Sequence, residues 1–171
     1  MDSVLALFTC FNRKEKTRQA VRGLVEGNPD ISFSFVVVDD GSTDGTAEML
    51  ESEDFGARIR VLHGDGNLFY SGGMIMGMEE ILSSGQEAEY LLMMNDDVEF
   101  YPACIQKLIS QSRAQGDAVI VGATCDREGR LSYSAILYEK GIHYRFLPPG
   151  ETSVDADTMN ANCVLIPFAW F

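Results

Sequence analysis

Two acidic turns hold the side chains of this sequence that are best suited to ligand chemistry. The pair Asp39–Asp40 directly follows a run of three valines, and the pair Asp96–Asp97 follows the apolar run Leu91–Met94 and one asparagine. A short apolar run that ends at polar residues predicts a buried strand of a parallel sheet. Because ligands of open α/β sheets bind beyond the carboxyl ends of the strands, both turns are predicted to lie at the ligand-binding edge.

Carboxylates at that edge could serve two kinds of ligand. A carboxylate accepts hydrogen bonds from a nucleobase N–H or from ribose hydroxyls. One carboxylate, together with diphosphate oxygens and water, can also hold Mg²⁺ or Mn²⁺ and so neutralise charge on a departing diphosphate. Taken alone, the first turn could instead satisfy its own backbone and cap the next helix, and the second could be a solvated turn. Two such turns facing one crevice favour ligand binding.

The rest of the pattern predicts the elements that position these turns. Predicted strands cover residues 4–8, 31–38, 58–62, 91–94 and 118–123, and a last strand covers 162–166. Apolar residues at helical spacing lie between the first five strands, which predicts an α/β fold with a mostly parallel sheet flanked by helices. Strands at 131–138 and 142–147, joined by a tight turn at 139–141, add a small antiparallel element near the C-terminus.

Three helix starts can be predicted from local signals. Asn12 followed by Glu15 has the spacing of a capping box. Ser71–Gly73 is predicted to begin the third helix, and Pro102 to occupy the first position of the fourth.

Composition excludes several classes of function. The chain has 171 residues, enough for one domain, and a net charge of −13, which argues against nucleic-acid binding. Its apolar runs are too short to span a bilayer. The four cysteines show no C-x-x-C spacing, which predicts free thiols in a reducing cytoplasm rather than structural zinc.

Other enzyme classes fit the motifs poorly. Phe69 stands where the third glycine of a G-x-G-x-x-G dinucleotide motif beginning at Gly64 would be. The histidines, His63 and His143, have no G-x-S-x-G serine to partner. A nucleotidyltransferase would need a glycine-rich basic loop after the first strand, and Cys10–Asn12 lacks the glycines.

Four motifs in this chain occur in the order seen in family 2 glycosyltransferases. They are Thr9–Arg13, Val36–Thr46, Gly66–Asn67 with Ser71–Gly73, and Asn95–Val98. The chain resembles a bacterial member, similar to the rhamnosyltransferase-like enzymes of surface polysaccharide synthesis, over roughly residues 3 to 125, with a weaker similarity at Asn160–Ile166. The resemblance implies a GT-A fold, a nucleotide-diphosphate-sugar donor and a divalent metal, Mg²⁺ or Mn²⁺.

The resemblance also assigns residues to the base end of the donor site. Thr9 and Phe11 would line the base pocket, and Asp40 would accept a hydrogen bond from the base. Asp39 and Ser42 would shape that turn. The same assignment includes Asn12 and Arg13 among the nucleotide-sugar-binding residues.

At the diphosphate end, the resemblance places Asn67 and Gly73 near the sugar and the diphosphate. Asp97 would bind the metal, and Asp96 would face the donor sugar or ribose. Asn95 replaces the first acid of the family's D-x-D-like motif.

Together these features predict transfer of a sugar from a nucleotide-diphosphate sugar to a hydroxyl acceptor, with inversion, in cell-surface polysaccharide synthesis. Residues 1–125 would form the nucleotide-sugar-binding half of the domain, and 126–171 part of its acceptor side. The acceptor would be a saccharide or a lipid-linked saccharide. The predicted location is the cytoplasm, with peripheral association at the inner face of the membrane.

Members of the family usually continue beyond the strand that resembles Asn160–Ile166 and supply there an acidic general base. We therefore expect a C-terminally truncated chain in which the base cannot be assigned. Exposed aromatic residues near Trp170 predict a homo-oligomer through this end. The alternative function is a catalytically inactive module that binds the nucleotide sugar.

Overall fold

The computed structural model describes residues 1–139, 143–150 and 154–171. The strands are β1 (Asp2–Cys10), β2 (Ile31–Asp39), β3 (Arg58–His63), β4 (Tyr90–Met94), β5 (Ile120–Val121), β6 (Thr124–Cys125), β7 (Leu131–Tyr133), β8 (Ile136–Tyr138), β9 (Tyr144–Phe146) and β10 (Cys163–Pro167). The α-helices are α1 (Lys14–Glu26), α2 (Thr46–Ser52), α3 (Phe69–Ser84) and α4 (Cys104–Ala114), and a 3-10 helix covers Phe168–Trp170. None of these helices is long and apolar enough to cross a membrane.

The main sheet has the strand order β3-β2-β1-β4-β10-β5 in the described part of the chain. β1 pairs in parallel with β2, from Asp2 opposite Ile31 to Cys10 opposite Asp39, and also in parallel with β4. β3 extends the parallel set beyond β2, whereas β10 runs antiparallel between β4 and β5. The predicted mostly parallel sheet is confirmed.

Two predicted strands are wrong in extent. The strand expected at 118–123 is only Ile120–Val121, because β10 lies between it and β4 and pairs with it through just two residues. The strand expected at 131–138 divides into β7, which pairs with β6, and β8, which pairs with β9. The antiparallel element is therefore confirmed as two small sheets, and 140–142, which include most of its predicted turn, lie outside the described residues.

Both faces of the sheet are covered by helices, which explains why the strand sequences are continuously apolar. Successive side chains of β1 point to opposite faces. On one face, Ala6 and Phe8 belong to the core that includes residues of α1, α2 and α4. On the other face, Leu5 and Leu7 pack in the core that includes Met74 of α3.

Asn28 joins the end of α1 to the start of α4. Its side-chain amide donates to the Leu24 carbonyl at 2.7 Å, and its oxygen accepts from the Ile105 amide at 3.1 Å. Asn28 is fully buried. The predicted position of Pro102 is wrong by two residues: α4 begins at Cys104, after Ala103 in the left-handed region (φ 59°).

We expect Asn28→Ala to lower the free energy of unfolding by about 2–4 kcal/mol, because it leaves a buried donor and a buried acceptor without partners. Urea unfolding measures the change. Gln19→Ala, on the exposed face of α1, is the control and should change the free energy by less than about 0.5 kcal/mol. Equal stability of both variants would show that Asn28 does not tie the two helices together.

Candidate functional site

A cleft of about 340 Å³ opens at the carboxyl ends of the parallel strands. Its lining comes from the last residues of β1, the loops that follow several strands and the first residues of α3. The lining residues are Thr9, Cys10, Phe11, Arg13, Asp40, Gly66, Phe69, Tyr70, Asn95 and Asp96. The cleft thus brings together five of the residues predicted from the sequence, namely Thr9, Phe11, Arg13, Asp40 and Asp96. Asn12, Asp39, Ser42, Asn67, Gly73 and Asp97 are not part of this lining.

Asn12 and Ser42 lock the loop after β1 to the turn after β2. The Asn12 amide donates to Ser42 Oγ at 2.8 Å, and Asn12 Oδ1 accepts from the Thr43 amide at 2.8 Å. Asp39 Oδ1 in turn accepts from the Ser42 amide at 3.0 Å. The predicted capping box is wrong, because Asn12 has a left-handed backbone (φ 51°) and Arg13 takes the N-cap position of α1.

The Asp40 carboxylate is buried and holds the loop after β3. Oδ1 accepts from the Gly66 amide at 2.9 Å, and Oδ2 accepts from the amides of Leu68 and Phe69 at 3.0 and 2.9 Å. It thereby supplies the cap of α3, a favourable place for a negative charge. A carboxylate offers about four acceptor positions. The three amides therefore leave about one acceptor position of Asp40, which lines the cleft, without a partner among these contacts.

Helix α3 starts earlier than predicted and comes very close to β1. It begins at Phe69 instead of Ser71, because Asp40 captures the amides there. Thr9 Oγ1 donates to the Val38 carbonyl at 3.1 Å. A Cβ on Gly73 would lie only 2.5 Å from Thr9 Oγ1. Gly73 therefore permits the close helix–strand contact. Asn67 is exposed, and its amide donates to Asp65 Oδ1 at 2.9 Å.

Three exposed aromatic side chains line the cleft. Phe11 is 52% exposed, Phe69 77% and Tyr70 43%. Phe69 also has a left-handed backbone (φ 52°), an uncommon conformation for a bulky residue, which the hydrogen bond from its amide to Asp40 supports. The sequence analysis missed Phe69 and Tyr70 as site residues. The available signal was an aromatic pair in a polar, glycine-rich loop at the ligand edge.

Arg13 bridges the two carboxylates of the second acidic turn. Its Nη1 lies 2.8 Å from Asp97 Oδ2 and 3.3 Å from Asp96 Oδ1. The side chains of Arg13, Asp96 and Asp97 are 47%, 9% and 35% exposed. Burial raises the pKa of Asp96 above its ordinary value, the Arg13 guanidinium lowers it, and the neighbouring Asp97 raises it further.

Asn95 is fixed by Asn162, the residue directly before strand β10. Its side-chain amide donates to Asn162 Oδ1 at 2.9 Å, and its backbone amide donates to the Asn162 carbonyl at 3.3 Å. The sequence analysis did not identify Asn162. The antiparallel direction of β10 brings its first residues to the carboxyl end of β4, and no local pattern predicts that pairing.

The second acidic turn presents two carboxylates, the type of ligand that divalent cations such as Mg²⁺ prefer. Asp96 and Asp97 present hard carboxylate oxygens, and a cationic group, the Arg13 guanidinium, already sits between them. No cluster of three or more histidine, cysteine, aspartate or glutamate side chains is found among the described residues. The residues fit an ion whose remaining ligands come from a bound diphosphate and water.

The fold resembles those of solved glycosyltransferases. S. aureus TarS 1-349 aligns with a TM-score of 0.61 at 19% identity, covering 76% of this chain and 37% of that one. A mannosyltransferase from Pyrobaculum calidifontis, solved with GDP-Man and Mn²⁺, aligns with a TM-score of 0.56 at 10% identity, covering 72% and 35%. The chain thus spans little more than a third of each. The predicted GT-A type of fold is confirmed.

The sequence matches a family model but no individual curated protein. The family model for glycosyl transferase family 2 matches residues 6–161, which is most of the 171-residue chain. This chain therefore belongs to glycosyl transferase family 2.

Proposed function

We propose that the cleft binds a nucleotide-diphosphate sugar and that the protein transfers the sugar to a hydroxyl acceptor. The proposal rests on one observation: an aromatic surface and a charged cluster lie side by side in the cleft. Exposed aromatic rings and the Asp40 carboxylate stand beside the Arg13–Asp96–Asp97 cluster at one sheet edge. A flat base and an anionic diphosphate need these two kinds of surface next to each other.

The base would bind among Phe11, Phe69 and Tyr70. Stacking on aromatic rings suits any base, whereas the remaining acceptor position of Asp40 selects a base with a ring N–H, as in uracil, thymine and guanine. TarS 1-349 has been solved with UDP-GlcNAc, and the Pyrobaculum mannosyltransferase with GDP-Man. Both ligands contain such a base.

The diphosphate would bind between Arg13 and the second acidic turn. Asp97 is the proposed metal ligand, and Asp96 the residue that faces the ribose or the donor sugar. When bound, Mg²⁺ or Mn²⁺ would neutralise the charge that develops on the departing diphosphate. Asn162 would act as a positioning residue, because its contact with Asn95 fixes the backbone directly before Asp96.

In the proposed reaction the acceptor hydroxyl attacks the anomeric carbon opposite the diphosphate, which inverts that carbon. A general base takes the hydroxyl proton, and we do not assign it to a residue of this chain. Residues 126–171 would form part of the acceptor side, next to the donor half made by 1–125. The acceptor class remains a saccharide or a lipid-linked saccharide of a bacterial surface polysaccharide.

The proposed place of this reaction is the cytoplasm, at the inner face of the membrane. The four cysteines are free thiols, as a reducing compartment would leave them. We also propose that the protein attaches peripherally to this membrane. It would form a homo-oligomer through its C-terminal end.

Asp97→Asn should abolish most of the metal dependence of donor binding. We expect Mn²⁺ to raise the affinity of the wild-type protein for its preferred UDP-, GDP- or dTDP-sugar, and the variant to lose about 10- to 100-fold of that gain. Calorimetric titration with and without Mn²⁺ measures it, and donor hydrolysis in the same samples separates an active transferase from an inactive binding module. The control is Asp117→Asn, an exposed acid beyond the far end of α4. Equal Mn²⁺ dependence in wild type and Asp97→Asn would refute the metal assignment.

Phe69→Ala should weaken nucleotide binding about tenfold, because it removes a stacking surface. Pyrophosphate binding in the presence of Mn²⁺ should stay unchanged, since pyrophosphate has no base. Leu82→Ala is the matched control, because Leu82 is 66% exposed on the same helix. If pyrophosphate and nucleotide weaken together, Phe69 supports the loop and does not stack on a base.

A further inference from the structure

We propose that Arg13 makes metal and donor bind together, because its guanidinium occupies the metal carboxylates in the free protein and moves to the diphosphate when the ion arrives. The inference rests on the proposed function, since it concerns the same donor and the same ion.

The contact of Arg13 is suited to exchange. A single nitrogen, Nη1, reaches both Asp97 Oδ2 and Asp96 Oδ1, so the guanidinium does not form the two-nitrogen fork that makes arginine–carboxylate pairs strong. The Arg13 side chain is also 47% exposed. Exposed ion pairs contribute little net stability because water can replace each partner. The guanidinium can therefore leave the partly exposed Asp97 at little cost, whereas the buried Asp96 carboxylate needs an incoming cation to replace it.

Charge explains why neither ligand should bind well alone. The two carboxylates and one guanidinium leave one net negative charge at the turn. A diphosphate arriving alone meets that negative charge. A divalent ion arriving alone has to share Asp97 with a cation already in contact with it. The diphosphate is therefore repelled, and the attraction of the ion to the carboxylates is weakened by the guanidinium that the ion must displace.

Arrival of both ligands removes both obstacles, the negative charge that repels the diphosphate and the competition between the ion and the guanidinium. The carboxylates of Asp96 and Asp97 would hold the ion next to the diphosphate, while Arg13 would gain phosphate oxygens, a preferred partner of the guanidinium group. Of the described residues that line the cleft, Arg13 is the only one with a cationic side chain. Each ligand should thus raise the affinity for the other by the same factor, as linkage requires.

The test measures binding, not turnover. The affinity for Mn²⁺ alone is obtained from the electron paramagnetic resonance signal of the free ion, and the affinities for UDP, GDP and dTDP by calorimetry with and without Mn²⁺. In Arg13→Gln we expect Mn²⁺ alone to bind on the order of tenfold more tightly than in wild type. The gain in nucleotide affinity caused by Mn²⁺ should shrink by a similar factor.

Matched variants identify the cause. Arg13→Lys keeps the charge and should keep most of the coupling. Lys16→Gln removes one positive charge from an exposed residue of the same helix and should behave as wild type. Adding Asp97→Asn to Arg13→Gln should cancel the gain in Mn²⁺ affinity, because the freed carboxylate is then missing.

Two results overturn the inference while leaving the proposed function intact. One is that Mn²⁺ raises the nucleotide affinity of Arg13→Gln by the same factor as that of wild type. The other is weaker nucleotide binding with unchanged affinity for Mn²⁺ alone, which would make Arg13 a plain phosphate ligand. Failure of the wild-type protein to bind any of the three nucleotides, with or without Mn²⁺, would instead overturn the proposed function, and the Arg13 exchange with it.

Discussion

The cleft depends on one buried carboxylate, that of Asp40. By accepting from the amides of Gly66, Leu68 and Phe69, it ties the end of β2 to the loop after β3 and fixes where α3 begins. A buried charge is stable only when hydrogen bonds replace its lost hydration, and these three amides provide them. The same contact demands a glycine at position 64, where a Cβ would lie 2.5 Å from Asp40 Oδ1. It also supports the unusual backbone of Phe69, whose ring lines the cleft. The shape of the proposed base pocket therefore follows from one side chain.

The sequence predicts best what depends on burial. Runs such as Val36–Val38 and Leu91–Met94 are apolar because both faces of the sheet are covered, so strands β1 to β4, the mostly parallel sheet and its ligand edge could be predicted. It predicts poorly what depends on the choice of a distant partner. Asn12 has a helix-capping signal, yet its amide and side chain are used by Ser42 and Thr43, about thirty residues away. A local pattern cannot show which of several possible partners a polar group will meet.

The same limit applies to the strands near the C-terminus. A run such as 131–138 has strand-like side chains, but its division into β7 and β8 is decided by two different partner strands. The pairing of β10, which local patterns also do not predict, affects the proposed site directly. It enters the main sheet beside β4 and brings Asn162 to Asn95, so the last part of the chain directly supports the acidic turn. The proposed donor and acceptor halves therefore share one sheet, and any change in the position of β10 would reach the Asp96–Asp97 pair through its backbone.

A net charge of −13 looks unfavourable for a protein whose proposed ligand is an anion. Charges more than about 8 Å apart are largely screened at physiological salt, so the overall charge matters less than the groups within the cleft. There Arg13 contacts both carboxylates of the second turn, while most of the Asp40 carboxylate is already occupied by amides. The second turn keeps one net negative charge, and a divalent cation bound there would reverse its sign. An acidic protein can therefore bind an anionic donor if the cation comes with it, and the negative charge of the second turn would repel a diphosphate that arrives without one.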